Sequence, residues 1–401
     1  RNMNIVIVGT GYVGLVTGVG LAELGNTVNF IDLDTEKIKK LKNKELPFFE
    51  PDLDKYFSKI ENFERMSFHS NYEDLNWDIV EVVFICVQTP NNTKTNSVDT
   101  KFLESAISKI AELNNKDIII TVKSTIPPYE IENVCNNIGF DQNLITFNPE
   151  FLREGSAVYD FFNPDRIVLG GLNTDKTDKL KSLYKDFDAE IIITDPISSQ
   201  LIKYLSNTYL PMRLSFVNEA TRLSKYSGAN LQDVLKGVGF DNRIGSHYFR
   251  PSPSWGGSCF PKDLVEVNNF YKDGDLNLPL ISNIIKSNNE HLNWTVQQIL
   301  MLKNDNNLNK IFLVGAAFKE DTDDLRNSPT LDIYKIFEKI GEEVTILDAE
   351  VIVPDHNFIN SINEIDSESL IAVMYPLKDQ LSLELKNFAS ENNCIIYYPW
   401  N

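Results

Sequence analysis

Two α/β domains joined by a helical segment are the architecture this sequence predicts, and three observations predict it. Short β-branched runs alternate with amphipathic stretches through the first part of the chain. From about residue 198 the apolar period becomes helical. Near residue 310 the α/β rhythm restarts. A chain of 401 residues is also too long for one ordinary core, so several domains are expected.

The elements follow in order. Asn4–Val8 reads as a strand, Tyr12 to Leu24 as a helix and Thr27–Ile31 as the next strand. Val82–Val87, Ile118–Val122, Ile167–Gly171 and Glu190–Thr194 continue the series, which is the pattern of a parallel, doubly wound sheet. Ser199 through Tyr226 predicts one long helix, and Asn230–Val238 and Leu280–Leu302 two more. Lys310–Gly315 and Val344–Asp348 predict strands flanking a helix over Thr330–Ile340. The resulting boundaries are 1–196, 197–300 and 301–401.

The formal net charge is −19, from 57 acidic against 38 basic residues, which argues against nucleic acid or an anionic membrane as a partner. No apolar run approaches the ~18 residues of a membrane span. The opening Arg1–Ile5 lacks a signal-peptide pattern, so a cytoplasmic enzyme is the expectation. Anionic ligands would require cations gathered locally, which gives weight to lysines and arginines inside motifs. Cys86 and Cys394 lie in apolar strand-like runs and Cys135 in a helix, so all three read as packing residues. Cys259 stands in a Gly-rich, charged segment instead. Nothing in the cysteine spacing suggests a metal.

Gly9-Thr10-Gly11-Tyr12-Val13-Gly14 follows the first strand and opens the first helix. The first glycine permits the turn, the second lets a pyrophosphate approach, and the third allows close helix packing. The helix N-terminus offers unpaired N–H groups to phosphates. Asp32 ends the second strand, where a carboxylate binds adenosine ribose hydroxyls and repels a 2′-phosphate; the cofactor expected is therefore NAD. Lys37 is close enough to assist, and equally reads as a solvated surface lysine.

Thr89-Pro90 and Ser124-Thr125 follow strands at the sheet edge where α/β proteins bind ligands. Asn148-Pro149-Glu150-Phe151-Leu152-Arg153-Glu154-Gly155 places two carboxylates at helical spacing, either decorating a helix N-terminus or supplying a general base. Lys203 and Asn207 share one face of the long helix, as donors to an oxygen or as surface residues. In Trp255-Gly256-Gly257-Ser258-Cys259-Phe260-Pro261-Lys262-Asp263, glycines give N–H groups and room for a substrate, and Lys262 adds positive potential for a thiolate. Asp263 can orient a proton-transfer partner.

This ordered set resembles the UDP-glucose/GDP-mannose dehydrogenase family, and more closely its UDP-glucose branch. Further motifs carry the likeness: Lys123-Ser124-Thr125, Asp241-Asn242-Arg243-Ile244-Gly245, and Phe318-Lys319-Glu320-Asp321-Thr322-Asp323-Asp324-Leu325-Arg326. The resemblance implies a Rossmann-like NAD domain (1–196), a central helical dimerisation segment (197–300) and a Rossmann-like nucleotide-sugar domain (301–401). It implies oxidation of UDP-glucose to UDP-glucuronate by two NAD, through a Cys259 thiohemiacetal and thioester. Lys203 and Asn207 would stabilise negative charge on the substrate oxygen, and Asp263 would orient water or Lys203. Glu150 would assist thioester hydrolysis, with Thr125 holding the water.

On the same resemblance, the NAD contacts would be Gly9, Gly11, Tyr12, Val13, Gly14, Asp32, Lys37, Thr89, Thr125, Glu154, Lys262 and Arg326. Glu150, Phe151, Leu152, Arg153, Glu154, Lys203, Asn207, Tyr248, Phe249, Arg250, Pro251, Ser252, Gly256 and Lys319 would hold the nucleotide sugar. Arg243 would reach a neighbouring subunit's substrate, so a homodimer is implied. Trp255, where the family has a small or phenolic residue, is expected to alter the sugar pocket, and Gln88 stands where a proline is common. The alternatives are a GDP-mannose or UDP-N-acetylhexosamine 6-dehydrogenase and, in another class, a non-catalytic nucleotide-sugar binding protein. A β-hydroxyacid dehydrogenase would share the two-domain plan but leave the cysteine segment unexplained.

Overall fold

The computed structural model describes residues 2–95, 97–113, 117–270 and 276–401, and the chain divides into two compact units, Arg1–Leu205 and Ser206–Asn401. The first unit is built on β1 (Asn4–Val8), β2 (Thr27–Ile31), β3 (Met66–His69) and β4 (Val82–Ile85). A small antiparallel ribbon, β5 (Asn91–Asn92) with β6 (Ser97–Val98), stands apart. β7 (Ile119–Val122), β8 (Ile145–Phe147), β9 (Arg166–Gly171) and β10 (Glu190–Thr194) complete a sheet ordered β10-β9-β8-β7-β4-β1-β2-β3.

Alternation along the strands feeds a core on each face. Ile5 and Ile7 pack with Leu15, Val19 and Phe30, whereas Val6 and Val8 pack with Ile107, Ile110 and Val134. The expected parallel sheet is met up to β8, but β9 pairs with β8 antiparallel, and β10 follows β9. The intervening helix Ala157–Phe162 lays Phe161 into the core beside Leu15 and Val19, and the chain re-enters the sheet from its carboxyl edge.

The second unit carries β11 (Lys310–Val314), β12 (Val344–Leu347), β13 (Phe358–Ile359), β14 (Ser369–Val373) and β15 (Ile395–Tyr397), all parallel and ordered β13-β12-β11-β14-β15. Here too the strands alternate, with Ile311 and Leu313 in one core and Phe312 and Val314 in the other. In each sheet the strand order reverses beside the first strand, between β1 and β4 and between β11 and β14. Such switch points open a crevice at the carboxyl ends of the strands.

The predicted long helix spans Pro196–Ser227 and tolerates Pro211 within it. The helix expected over Leu280–Leu302 is two, Pro279–Ser282 and Ile284–Asp305. The break falls at Asn283, whose amide caps the Pro279 carbonyl at 2.7 Å. No helix among the described residues is long and apolar enough to cross a membrane.

Candidate active site

In the first unit the glycine loop sits at the switch point. Gly9 has φ +99°, and a Cβ there would lie 2.6 Å from the Cys86 carbonyl oxygen at the end of β4. Gly14 is packed against the Gly9 carbonyl oxygen, 1.9 Å from where its Cβ would stand. A Cβ on Gly11 would meet nothing within 4 Å. Gly11 caps the helix Tyr12–Glu23, which has no side-chain cap and no carboxylate in its first turn. Open space over uncapped N–H groups fits the pyrophosphate of a dinucleotide. Tyr12 and Val13 are half-buried in that turn. Asp32 accepts from Thr10 N and Oγ1 at 2.9 and 2.6 Å through one oxygen and from Asp34 N at 2.9 Å through the other. The carboxylate thus shapes the loop while retaining lone pairs for ribose hydroxyls. Lys37 lies half-buried on the helix Thr35–Lys42. The second unit repeats the device: Gly315 has φ +100°, and Ala316 N donates to Asp348 at 2.9 Å.

The loops after β4 and β7 are tied together, Thr89 Oγ1 donating to the Thr125 carbonyl at 2.8 Å and Ser124 Oγ to that of Val87 at 2.6 Å. Beyond β8, Lys203 Nζ donates to the Glu150 carboxylate at 3.1 Å and to its backbone oxygen at 2.5 Å. Glu150 also accepts from Leu152 N at 2.7 Å, and the Phe151 ring centroid is 5.4 Å from Lys203 Nζ and 3.5 Å from the Arg166 guanidinium. Both Glu150 and Lys203 are buried. Beneath them Lys123 donates to Asn148 Oδ1 at 2.9 Å; burial, partly offset by Cys86 and Glu150, pushes its pKa down to about 8. Burial also pushes the Cys86 thiol up to about 12, so it is a packing residue as expected.

Glu150 and Glu154 do not share a helix, which corrects the helical spacing read from the sequence. Pro149 has no N–H to donate, Gly155 takes φ +92°, and the helix begins only at Ala157. Arg153 is committed to Asp160, with Nε and Nη2 at 3.0 and 2.6 Å. Sequence reasoning missed Glu50, a buried carboxylate that accepts from Gly155 N and Ala157 N, both at 2.9 Å, and so shapes the turn bearing Glu154. Its only sequence signal is a charged residue between Phe49 and Pro51.

In the second unit Cys259 is the N-cap of the helix Phe260–Asn269, with Pro261 in its first turn. A helix N-terminus favours a thiolate. One turn on, the buried Asp263 carboxylate accepts from Asn207 Nδ2 at 2.7 Å. Lys262 reaches Glu266 at 2.9 Å. Burial works against its ammonium, but Glu266, Asp263 and Cys259 together hold its pKa above the usual lysine value.

The two glycines before Cys259 also have a packing role, beside the substrate room expected from the sequence. A Cβ on Gly256 would lie 1.9 Å from the Asn327 carbonyl oxygen, and one on Gly257 2.8 Å from the Phe318 ring. Asn327 Nδ2 also donates to Gly257 O at 2.9 Å, so the glycines admit close packing of segment 318–327. Trp255 is buried beside Leu264 and Ile284, its indole N–H bonded to Ser215 Oγ at 2.8 Å.

A cavity open to solvent lies at the switch point of the second sheet, lined by Arg250, Pro251, Ser252 and Lys319 among the expected residues, and by Met374, Tyr375 and Trp400. The last three, missed by sequence reasoning, follow β14 and β15; only the topology brings them there. Tyr248 has φ +54°, Phe249 lies under the Arg213 guanidinium, and neither lines the cavity; nor does Gly256. Arg243 and Arg326 are exposed and chelated by neighbours, Arg243 Nη2 by Asp241 at 2.7 Å and Arg326 Nη2 by Asp324 at 2.6 Å. Among the described residues no cluster could hold a metal ion.

Comparison with known proteins matches three segments to one family. Residues 3–188 match the NAD binding domain of the UDP-glucose/GDP-mannose dehydrogenase family, 197–290 its central domain and 312–375 its UDP binding domain. A UDP-glucose 6-dehydrogenase of Rickettsia bellii is 40% identical over 353 residues, covering 86% of this chain and 81% of the relative. One of Rhizobium meliloti is 35% identical, covering 87% and 82%. The solved structure of a UDP-glucose dehydrogenase from Pyrobaculum islandicum superposes with a TM-score of 0.87 at 26% identity, covering 100% of this chain and 95% of that one.

Proposed function

Because the chain belongs to the UDP-glucose/GDP-mannose dehydrogenase family, we propose that it oxidises UDP-glucose at C6 to UDP-glucuronate, with Cys259 as nucleophile. The observation that carries the reading is the placement of Cys259 at a helix N-terminus, beside Lys262 and one turn before the buried Asp263–Asn207 pair. A binding protein has no use for a thiol so placed.

NAD, the family's cofactor, would supply the hydride acceptor for both oxidations, and the Gly9–Gly14 loop with Asp32 would hold it. The C6 alcohol gives up a hydride and a proton to become an aldehyde. The Cys259 sulfur bonds to the aldehyde carbon, and the thiol proton passes to the oxygen, giving a thiohemiacetal. Loss of a second hydride and proton leaves a thioester. Water then adds to its carbonyl, the C–S bond breaks, and the thiol returns with release of the uronate. In this reading Lys203 and Asn207 donate to the oxygen on which charge develops. Glu150 takes a proton from the hydrolytic water, Thr125 orients it, and Asp263 holds the Asn207 amide in its donating orientation.

A homodimer in the cytoplasm completes the proposal. The long helix leaves Tyr209, Phe216, Leu223 and Tyr226 exposed, which supports a partner surface, and the free thiols suit a reducing compartment. Arg243, exposed beside Asp241, is the residue expected to reach the neighbour's substrate.

The test has two parts. NADH formation is measured with UDP-glucose, GDP-mannose and UDP-N-acetylglucosamine, and UDP-glucose should give two NADH per sugar. Cys259→Ser should lose uronate formation while still binding nucleotide sugar. A preference for another donor, or unchanged turnover in the variant, would overturn the reading.

A further inference from the structure

The segment Ser252–Trp255 is buried or half-buried yet belongs to no sheet, so its backbone groups need partners from elsewhere. Side chains of two helices supply them. From the long helix, Asn218 accepts from Ser252 N at 2.9 Å and donates to Ser252 Oγ at 3.1 Å. From the helix Ile284–Asp305, His291 Nε2 bonds Ser252 O at 2.7 Å and Thr295 Oγ1 donates to Pro253 O at 3.0 Å. Asn288, also on that helix and buried, makes two bonds with the Trp255 backbone: its Oδ1 accepts from Trp255 N at 2.9 Å, and its Nδ2 donates to Trp255 O at 2.8 Å.

We propose that Asn288 is the positioning residue for the nucleophile, setting the direction in which the chain leaves Trp255 and therefore where the Cys259 sulfur stands. A two-point bond to one residue acts as a neighbouring strand would, fixing its peptide planes. Only Gly256, Gly257 and Ser258 lie between Trp255 and Cys259, and the two glycines are wedged against the Asn327 carbonyl and the Phe318 ring, which leaves the link little room to swivel. The Trp255 ring also meets Phe260, the residue after Cys259, edge-on at 6.4 Å. Trp255 thus braces both sides of the nucleophile, and Asn288 fixes Trp255. Neither Asn288 nor Trp255 lines the cavity, so Asn288 makes no direct contact with a nucleotide bound there.

The inference rests on Cys259 being the trap for the aldehyde. A displaced sulfur fails at the addition step, and the aldehyde leaves after one hydride transfer. Two variants test it. Asn288→Ala removes both bonds. Asn288→Asp keeps the shape and the bond from Trp255 N but sets a carboxylate oxygen against Trp255 O; it keeps the experiment readable should the alanine variant not fold. Each is assayed for NADH per sugar, for KM of UDP-glucose, and for aldehyde captured by semicarbazide and identified by mass spectrometry. The expected result is a ratio falling from two towards one, captured aldehyde, and KM within about threefold of the native value. Rescue by Asn288→Gln is not expected, because the longer amide cannot meet both groups. A ratio of two and no captured aldehyde in a folded variant would overturn the inference alone. Native protein that itself yields one NADH would overturn the Cys259 mechanism, and the inference with it.

Discussion

The Asn207 amide donates to the Asp263 carboxylate across 2.7 Å, with both side chains buried. The contact joins the long helix to the first turn of the helix that Cys259 caps. A buried hydrogen bond to a charged acceptor contributes about 2 kcal/mol. Asn207→Ala, Asp263→Ala and the double variant should therefore show a coupling of that size in urea unfolding. Additive losses would mean that the bond is not made in solution. Asp263→Asn keeps an acceptor and should fold well, but in the proposed mechanism it lowers kcat by about a hundredfold with KM little changed.

The Lys203–Glu150 pair gives a second prediction. Breaking a buried pair from one side leaves an uncompensated charge, at a cost of about 3 kcal/mol. Glu150→Ala should lose stability on that scale, whereas Glu150→Gln, which still offers Lys203 an oxygen, should lose much less. If Glu150 serves the hydrolytic water, Glu150→Gln should show a fast burst of NADH followed by slow turnover, with a thioester detectable on Cys259 by mass spectrometry. A steady rate without a burst would remove Glu150 from that step.

Two glycines of one loop should respond differently to alanine. Gly9 is in the left-handed region, and its new Cβ would collide with Cys86 O, so Gly9→Ala should cost about 2 kcal/mol of stability. Gly11→Ala meets no protein atom, so its melting temperature should hold. Its methyl group stands over the uncapped helix N-terminus, and NAD affinity should fall at least about tenfold by fluorescence titration. Unaltered NAD binding would place the pyrophosphate elsewhere.

The parts legible in sequence were those written by local repetition. Short apolar, β-branched runs marked β1, β2 and β11, and the glycine loop with Asp32 marked the first switch point, because their determinants lie within about thirty residues of one another. Glu150 and Lys203 were legible as chemistry, but not as a buried pair, since 53 positions separate them. The helical spacing of Glu150 and Glu154 misled because Pro149 and Gly155 override periodicity. The burial of Trp255 was not legible, because nothing local tells of Ser215 and Asn288, whose bonds draw it into the helical core. Glu50 stayed hidden for the same reason: its task is 105 positions away.

His291 provides the last prediction, a dependence of stability on pH. It is fully buried, with Nδ1 facing the Arg222 guanidinium at 3.0 Å and Nε2 bonded to Ser252 O. A neutral ring satisfies both: Nε2–H donates to the carbonyl and Nδ1 accepts from the arginine. Burial first, and then the arginine's charge, push its pKa from 6.5 down to about 4, against the opposing pull of the Ser252 carbonyl. Between those values the unfolded chain takes up a proton that the folded chain refuses, so stability is lost as pH falls through the window. The loss approaches about 3 kcal/mol near pH 4 and vanishes above about pH 7. His291→Gln can donate to Ser252 and accept from Arg222 without titrating. Urea unfolding of both proteins between pH 7 and 4.5 isolates the effect, because every other titrating group is common to the two. The native protein should lose stability faster, by up to one proton's slope, and parallel curves would show that the imidazole does not hold the Ser252 carbonyl in its neutral form.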